Sequence, residues 1–405
     1  MPQHIGSFKS RISIAAFLRS GHGLVAGRVT WRKTGDASGA AVLQDDSGSL
    51  PLPAAVAVQL PSASPSWAAI RLDHDGWHLV YQAPIAVNEA TGPLFAKQAM
   101  LKRRGRIHQK VRRFFLNADF LECDTPVKVA CPGMEPYLDT FAAGDQWLRT
   151  SPELHMKRLL AGGLEKVFQF AASFRAGDIG RMHREEFIML EWYRLWADLD
   201  RLQEDVQGLF AELAEEATDP AYFRRPIEVV TCAGLFERYL DLPLRDHHNR
   251  DPLRACLEAK GLPWSEEDDW DTLYFQLFLN FIEPRLGFEQ PTLVTAYPAS
   301  QAALAKKMPV VAGEMPACYR FEIYVKGIEL ANAFYEVTDH GVQRARFAAD
   351  QEERRALGKA VYPMDEAFLA ALASGMPPAA GIALGLDRLV LALLGGDDLA
   401  TILPF

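Results

Sequence analysis

The chain lacks several features, and each absence closes off a class of protein. No apolar run approaches the roughly 18 residues that cross a bilayer as a helix. The first twenty residues, MPQHIGSFKSRISIAAFLRS, hold only a short apolar patch between basic residues, without the apolar core and cleavage site of a secretion signal. The five cysteines, Cys123, Cys131, Cys232, Cys256 and Cys318, are odd in number and form no C-x-x-C pair. That argues against a disulfide framework or a zinc knuckle and for a reducing, cytoplasmic setting. There is no Walker-type loop and no G-x-G-x-x-G fingerprint, so a nucleotide would have to be held by side chains and not by a glycine-rich cradle. There is no internal repeat. An overall basic charge is also missing: the net charge is −9, against the usual pattern of a protein whose work is coating nucleic acid.

What is present is an ordinary globular composition, 49% hydrophobic and 23% charged over 405 residues, enough for two or three domains. Charge is uneven. Residues 1–100 carry 8 Lys+Arg and 6 Asp+Glu, leaving 35 against 46 for the remainder. The local basic cluster LKRRGRIHQKVRR, residues 101–113, reads either as a solvated helix face or as a polyanion contact. Residues 23–82 alternate short strand-like runs with Gly, Ser, Pro and Asp turns, which predicts a small β-barrel or meander. APIAVNEATGPLFAKQ then reads as a linker. From about residue 98 the periodicity turns helical, with Met100, Ile107, Val111 and Phe114–Phe115 near one face. Helices are expected at 195–217, 252–260 and 270–283, mixed with strands without regular βαβ alternation. The expected class is therefore α+β, an antiparallel sheet backed by helices, as a catalytic unit over 98–405 behind a small β-rich domain over 1–97.

Three stretches carry chemistry. In FRAGDIGRMHREEFIMLEWYR, residues 174–194, period two from Phe187 puts Phe187, Met189, Glu191 and Tyr193 on one face and Ile188, Leu190 and Trp192 on the other. The plain alternative is a half-buried strand with incidental polar residues. In RFEIYVKGIELANAFYEVTD, residues 320–339, Glu322 and Glu329 flank a Lys326–Gly327 turn, and Asn332, Phe334 and Glu336 alternate beyond it. Strict alternation would put Glu329 and Asn332 on opposite faces, so a single site needs a bulge between them. Two such acids suit Mg²⁺ held together with phosphates, or else face solvent. In GIALGLDRLVLALLG, Gly381 and Gly385 permit close backbone approach, and Arg388 stands where an apolar helix begins, suited to bidentate contact with phosphate.

Taken together these stretches resemble the class II aminoacyl-tRNA synthetases. FRAGDIGRMHREEFIMLEWY resembles their motif 2, GIALGLDR their motif 3, and VRRFFLNADFLECDTP, ending at Pro126, their motif 1, in matching order over residues 98–405. SPELHMKRLL and GIELANAFYEVTD resemble the lysyl branch, and most closely its members that attach lysine to elongation factor P. The resemblance implies an antiparallel catalytic sheet of six or seven strands, ATP- and Mg²⁺-dependent activation of an amino acid, and a homodimer through motif 1. It implies that Arg175 binds the α-phosphate and the substrate carboxylate, His183 approaches the distal phosphates, Phe187 stacks on adenine and Arg388 binds the γ-phosphate. Glu322 and Glu329 would hold Mg²⁺, and Glu153 the backbone-side ammonium of a lysine-like substrate. Glu191, Tyr193, Asn332, Phe334 and Glu336 would form the side-chain pocket. Most of the family has Glu where this chain has Gly177; here the acid is Asp178, so either Asp178 or backbone groups would read adenine.

The acceptor is open between a protein lysine and tRNA. VAGRVTWRKTGDASGAAVLQDDSGSLPL faintly resembles the first strands of the anticodon-reading OB-fold, but it offers Trp31 and otherwise Ala and Val where stacking aromatics are expected. At Ala383 the resemblance points to the protein ligases, since synthetases that use α-lysine typically have Gly there; the added methyl favours an amine placed as in (R)-β-lysine. The expected function is adenylation of (R)-β-lysine or lysine and transfer to a lysine of elongation factor P. The alternatives are a lysyl-tRNA synthetase with a reduced anticodon domain, a stand-alone amino-acid ligase or a pseudoenzyme. RDHHNRD, residues 245–251, reads as a polar surface loop, and SEEDDWD, residues 265–271, as an exposed helix start.

Overall fold

The computed structural model describes residues 13–21, 23–32, 40–45, 47–57, 59–60, 66–73, 76–84, 92–245 and 249–405. The chain divides into two compact units, Met1–Ala96 and Lys97–Phe405. In the first, helix α1 (Ile14–Ser20) precedes β1 (Gly23–Arg32), β2 (Ala40–Asp45) and β3 (Gly48–Pro51). The short α2 (Ala54–Ala57) then leads to β4 (Ser66–Asp73) and β5 (Gly76–Pro84). These strands form an antiparallel sheet in the order β3-β2-β1-β4-β5. Its core is the alternating inward set Val25, Val29, Leu43 and Ile70, closed at one end by Ile14 and Phe17 of α1. The side chain of Trp31 lies outside the described residues, as do 61–65 of the Ser/Pro-rich stretch and 85–91 of the expected linker. The first two residues of that linker, Ala83 and Pro84, end β5, and from Gly92 it is helical: α3 runs Gly92–Asn117, starting before residue 98. Ile107, Val111 and Phe115, spaced by four, form its fully buried stripe.

The second unit is built on a sheet of eight strands among the described residues, one or two more than expected. In chain order the strands of this unit are β6 (Leu121–Glu122), β7 (Lys128–Val129), β8 (Ala142–Ala143), β9 (Gln146–Leu148), β10 (Lys166–Phe174), β11 (Glu186–Leu195), β12 (Glu228–Thr231), β13 (Thr292–Thr295), β14 (Arg320–Val325), β15 (Ile328–Tyr335) and β16 (Ala379–Gly385). The large sheet has the order β12-β13-β14-β15-β16-β11-β10-β6, and β7, β9 and β8 form a separate small one. The six inner strands pair antiparallel, as expected, while β6 and β12 add at the two edges in parallel. Parallel pairing needs a crossover connection, and long segments with helices join β6 to β10 and β12 to β13.

The helices of this unit are α4 (Glu153–Ala161), α5 (Leu199–Leu213), α6 (Pro220–Phe223), α7 (Cys232–Leu240), α8 (Asp251–Ala259), α9 (Trp270–Leu277), α10 (His340–Ala356), α11 (Glu366–Ala373) and α12 (Leu386–Leu394). The apolar stretch from Trp270 begins as α9, capped by Asp269, widens into a π-helical turn over Phe278–Ile282 and tightens to a 3-10 turn at Glu283–Arg285. Residues 246–248 of the RDHHNRD stretch lie outside the described residues. Leu190, Trp192, Ile382, Leu384, Ala331 and Ala333 point to one face of the sheet and join α3, α5 and α12 in the main core. Asp205 of α5 pins that face, accepting hydrogen bonds from the Trp192 indole at 3.2 Å and from the Arg194 guanidinium at 2.7 and 2.8 Å. With one face so committed, the alternate residues of β11, β15 and β16 are left to build whatever lies on the other.

Candidate active site

The other face carries a cleft of about 390 Å³ whose floor is set by register. Glu191 of β11 is paired with Ala383 of β16, which is paired with Asn332 of β15, so these three lie in one row across the central strands. Tyr193, Gly381 and Phe334 form the next row. The middle strand therefore offers only Gly381, Ala383 and Gly385 on this face, and the rows sink to a trough between taller flanks. Gly381 is required by its neighbours: a Cβ there would stand 2.1 Å from the Tyr193 ring and 2.7 Å from Glu336 Oε1. The bulge that a single site demanded is present. The β14–β15 register shifts at Ile323/Tyr324, which leaves Leu330 extra and brings Glu329 and Asn332 both to the cleft.

One end of the cleft is cationic. Arg175 leaves β10 at the start of the motif 2 turn, its guanidinium carbon 5.2 Å over the Phe187 ring. Among the described residues its side chain donates no hydrogen bond, and its buried Nε has no partner. A guanidinium that lines a cleft without a carboxylate partner is suited to hold an anion. Arg388, in the first turn of α12, is aimed from the opposite wall. It donates to the Met182 carbonyl at 3.2 Å and the Glu329 carbonyl at 3.0 Å. Its Nη2 lies 2.7 Å from His183 Nε2. Burial and the Arg388 charge push the His183 pKa down, so the ring is neutral and accepts from Arg388. Asp178 and His183 also line the cleft. Gly177 has φ +83° and its N–H donates to Glu185 Oε1 at 2.9 Å, so this turn needs the left-handed backbone that glycine adopts most readily. Asp387, buried beneath, accepts from Arg104 at 2.8 Å and from the Ile188 N–H at 3.2 Å, clamping α12 to the start of β11.

The other end is anionic. Glu191 is fully buried and accepts from the Ser151 hydroxyl at 2.6 Å and the Tyr193 hydroxyl at 2.7 Å. Burial and the nearby Glu153 carboxylate push it up to about 7, against those hydroxyls and Lys157. Glu153 opens α4, and Lys157, one turn on, reaches back to it at 2.5 Å. The same Lys157 nitrogen lies 2.5 Å from Glu336 Oε2. Burial pushes Glu336 up to about 8 although the Lys157 ammonium opposes it, so Glu336 takes up a proton more readily than an exposed carboxylate. Tyr193 and Glu336 sit under the floor, while Glu153, Glu191, Asn332, Phe334 and Ala383 line it.

The two acids expected to hold a metal differ. Glu329 faces the cleft beside Arg388, 3.7 Å from its Nη1. Glu322 does not line it: Oε2 accepts from Tyr297 at 2.5 Å and Tyr324 at 2.6 Å, and Oε1 pairs with Arg320. Arg320, which the sequence did not single out, lines the cleft, donates to Asn332 Oδ1 at 3.1 Å and stacks 4.6 Å over the Tyr297 ring. It thereby fixes the Asn332 amide with its NH₂ left to the cleft. Among the described residues no cluster of three or more His, Cys, Asp or Glu is arranged to hold a metal by itself. Ser151, Glu135 and Lys157 were missed as well. Only Ser151 and Lys157 had a signal, their places beside Glu153 in SPELHMK.

A mixed, mainly antiparallel sheet with an arginine from a strand–turn–strand hairpin and a second from a strand-to-helix junction defines a class II synthetase-type catalytic domain. Residues 95–405 match the family described as tRNA synthetases class II (D, K and N), and the chain belongs to that family. It is 39% identical over 323 residues to the elongation factor P–(R)-β-lysine ligase of Erwinia tasmaniensis, covering 76% of this chain and 95% of that one. It is 38% identical over 317 residues to the ligase of the same name from Salmonella dublin, covering 75% and 94%. The resemblance read from motifs 1, 2 and 3 is borne out at the level of the family and of these ligases. No helix among the described residues is long and apolar enough to cross a membrane.

Proposed function

We propose that the protein is an ATP-dependent, AMP-forming ligase that activates (R)-β-lysine or lysine as an adenylate and transfers it to a lysine side chain of elongation factor P. The observation that carries this reading is one trough with a guanidinium, Arg175, unpartnered among the described residues at one end, and at the other the carboxylates Glu153 and Glu191 with Glu336 just beneath them. The first end suits a phosphate and a carboxylate, the second a substrate with two ammonium groups. A substrate lacking them would leave buried acids unpaired, which the site penalises heavily. The printed names of the relatives supply the particular amino acid and acceptor.

In this mechanism the substrate carboxylate is already ionised and needs no general base. It attacks the α-phosphorus, the bond to the β-phosphate oxygen breaks, and pyrophosphate leaves. Arg175 holds the α-phosphate and the carboxylate, and Arg388 with neutral His183 receives charge on the distal phosphates. Phe187, which lines the cleft, supplies an aromatic face on which adenine stacks. Glu153 takes the amine near the carboxylate, and Glu191, Glu336 and Tyr193 the distal one. The acceptor amine, having lost a proton, then attacks the carbonyl carbon and AMP departs. Mg²⁺ bound with ATP would neutralise phosphate charge. Glu329, open to the cleft, fits that role; Glu322 would join only by releasing Arg320.

We also propose a homodimer through the motif 1 segment, a cytoplasmic setting, and an OB-like identity for the first unit. The strand order β3-β2-β1-β4-β5 with a helix between β3 and β4 supports that last reading. The test is pyrophosphate exchange with lysine and (R)-β-lysine, followed by mass spectrometry of purified elongation factor P and a tRNA-Lys charging assay. An aminoacylated elongation factor P is expected. Robust tRNA charging without protein modification would contradict the proposal.

A further inference from the structure

Lys157 is an ammonium group buried inside a site built to bind ammonium groups. It lies on α4 four residues after Glu153, a spacing that on a surface helix gives a solvated pair of little consequence. Here the side chain is 1% exposed, and its nitrogen stands 2.5 Å from both Glu153 Oε1 and Glu336 Oε2. A buried lysine is costly unless it is paired, and this one is paired twice; the two acids push its proton affinity up. Its two partners come from different elements, the start of α4 and the residue after β15. They are also the acids assigned above to the two different amines of the substrate. One nitrogen thus ties the proximal amine subsite to the distal one. Glu336 has no other support, since neither of its oxygens accepts an aligned hydrogen bond among the described residues, whereas Glu191 is held by Ser151 and Tyr193.

We infer that Lys157 is a positioning residue that sets the charge and the spacing of the two ammonium subsites, making the pocket selective for a diamino acid. The inference rests on the functional reading above. Three carboxylates and one built-in ammonium leave a deficit of two positive charges, which a substrate with two ammonium groups fills. Without Lys157 three acids would crowd one buried space, and like charges at that range are relieved by protonation. Protons would then compete with the substrate. The other charged or titratable groups that face this cluster are Glu135 on the cleft wall, Arg149 behind Glu191, and Tyr193. Burial and the Glu153 charge push Glu135 toward its neutral form, and Arg149 is committed to the Ala172 and Thr125 carbonyls, so neither replaces Lys157. Because Glu153 and Glu336 share one nitrogen, their separation is fixed, and with it the amine-to-amine distance that the site rewards.

The experiment is pyrophosphate exchange by the full chain with ornithine, lysine and (R)-β-lysine, between about pH 7 and 9, for wild type, Lys157→Met and Lys157→Arg. Lys157→Met keeps the length and removes the charge. It is expected to raise KM for the preferred diamino acid about a hundredfold at neutral pH, as for other broken buried pairs, with little change in KM for ATP. The deficit should shrink as the pH rises and the crowded acids lose their protons. A KM unchanged, or raised by one factor at every pH, would mean that Lys157 only fills space, and would overturn the inference. If Lys157→Met fails to fold, Lys157→Arg decides: it keeps the charge and the pH profile but moves the tie, so the ranking of the three amino acids should change. An unaltered ranking would overturn the inference. Wild type that exchanges with none of them would overturn the functional reading and this inference with it; wild type that exchanges while both variants behave like it would overturn the inference alone.

Discussion

At the scale of single residues, the site is a set of groups whose partners are either supplied or withheld. Among the described residues the Arg175 guanidinium has no hydrogen-bond partner, which is why Arg175→Ala should abolish adenylate formation: loss of a charge-assisted phosphate clamp costs on the order of a hundredfold or more in rate. Exchange surviving within a few-fold would remove Arg175 from the phosphate. Ala383 lies between Glu191 and Asn332, so Ala383→Gly deepens the trough at its centre. The ratio of α-lysine to (R)-β-lysine use should rise, by up to about a hundredfold for one methyl group, and competition between the two in exchange would read it. Glu191 and Glu336, pushed up to about 7 and about 8, must ionise to hold ammonium groups. Substrate KM should therefore fall as pH rises from 6 to 8, about tenfold per unit for each proton released. The unliganded protein should behave oppositely. Acids whose folded values exceed the unfolded 4.5 contribute stability that is full below that value and lost as pH rises through 7 and 8. Glu283 and Asp350, each pushed up to about 7 by burial, act in the same sense. Melting curves should thus show a decline from pH 5 to 8.5 that lysine reverses; a decline indifferent to lysine would place its cause outside the pocket.

At the scale of elements, much of the site was legible because strands alternate. Period two placed Glu191 and Tyr193 opposite Leu190 and Trp192, and β11 keeps that division. The bulge at Leu330 was deducible from the demand that Glu329 and Asn332 share a face, since no regular strand allows it. Other features were hidden for definite reasons. Lys157 looks, in sequence, like any helix lysine paired with a glutamate one turn earlier; its burial follows from β15 delivering Glu336 across the sheet, a contact between residues far apart in the chain. Glu322 read as a free acid, because Tyr297 reaches it from 25 residues away and Arg320 and Tyr324 flank it at two residues on either side. The trough depends on β16 as a whole. Gly381→Ala would drive a methyl into the Tyr193 ring, a case of overpacking that costs about 1–3 kcal/mol. Displaced Tyr193 would release Glu191, so lysine KM should rise together with a lowered melting temperature. A melting shift with unchanged KM would show that the Tyr193–Glu191 bond does not serve the substrate.

At the scale of the whole molecule, the sequence period changes from strand to helix near residue 98, and the compact units divide between Ala96 and Lys97. The linker was misread because Gly and Pro at 92 and 93 look like loop residues, yet they stand at the first turn of α3, where neither breaks a helix. The central claim is that one trough joins phosphate chemistry to a two-ammonium pocket and passes the product to a protein. Its most direct test is intact-mass measurement of purified elongation factor P after incubation with this protein, ATP, Mg²⁺ and (R)-β-lysine or lysine. The account predicts one added β-lysyl or lysyl group, mapped to a lysine side chain and dependent on Arg175. Unmodified elongation factor P, from a preparation that forms the adenylate and charges tRNA-Lys, would contradict it.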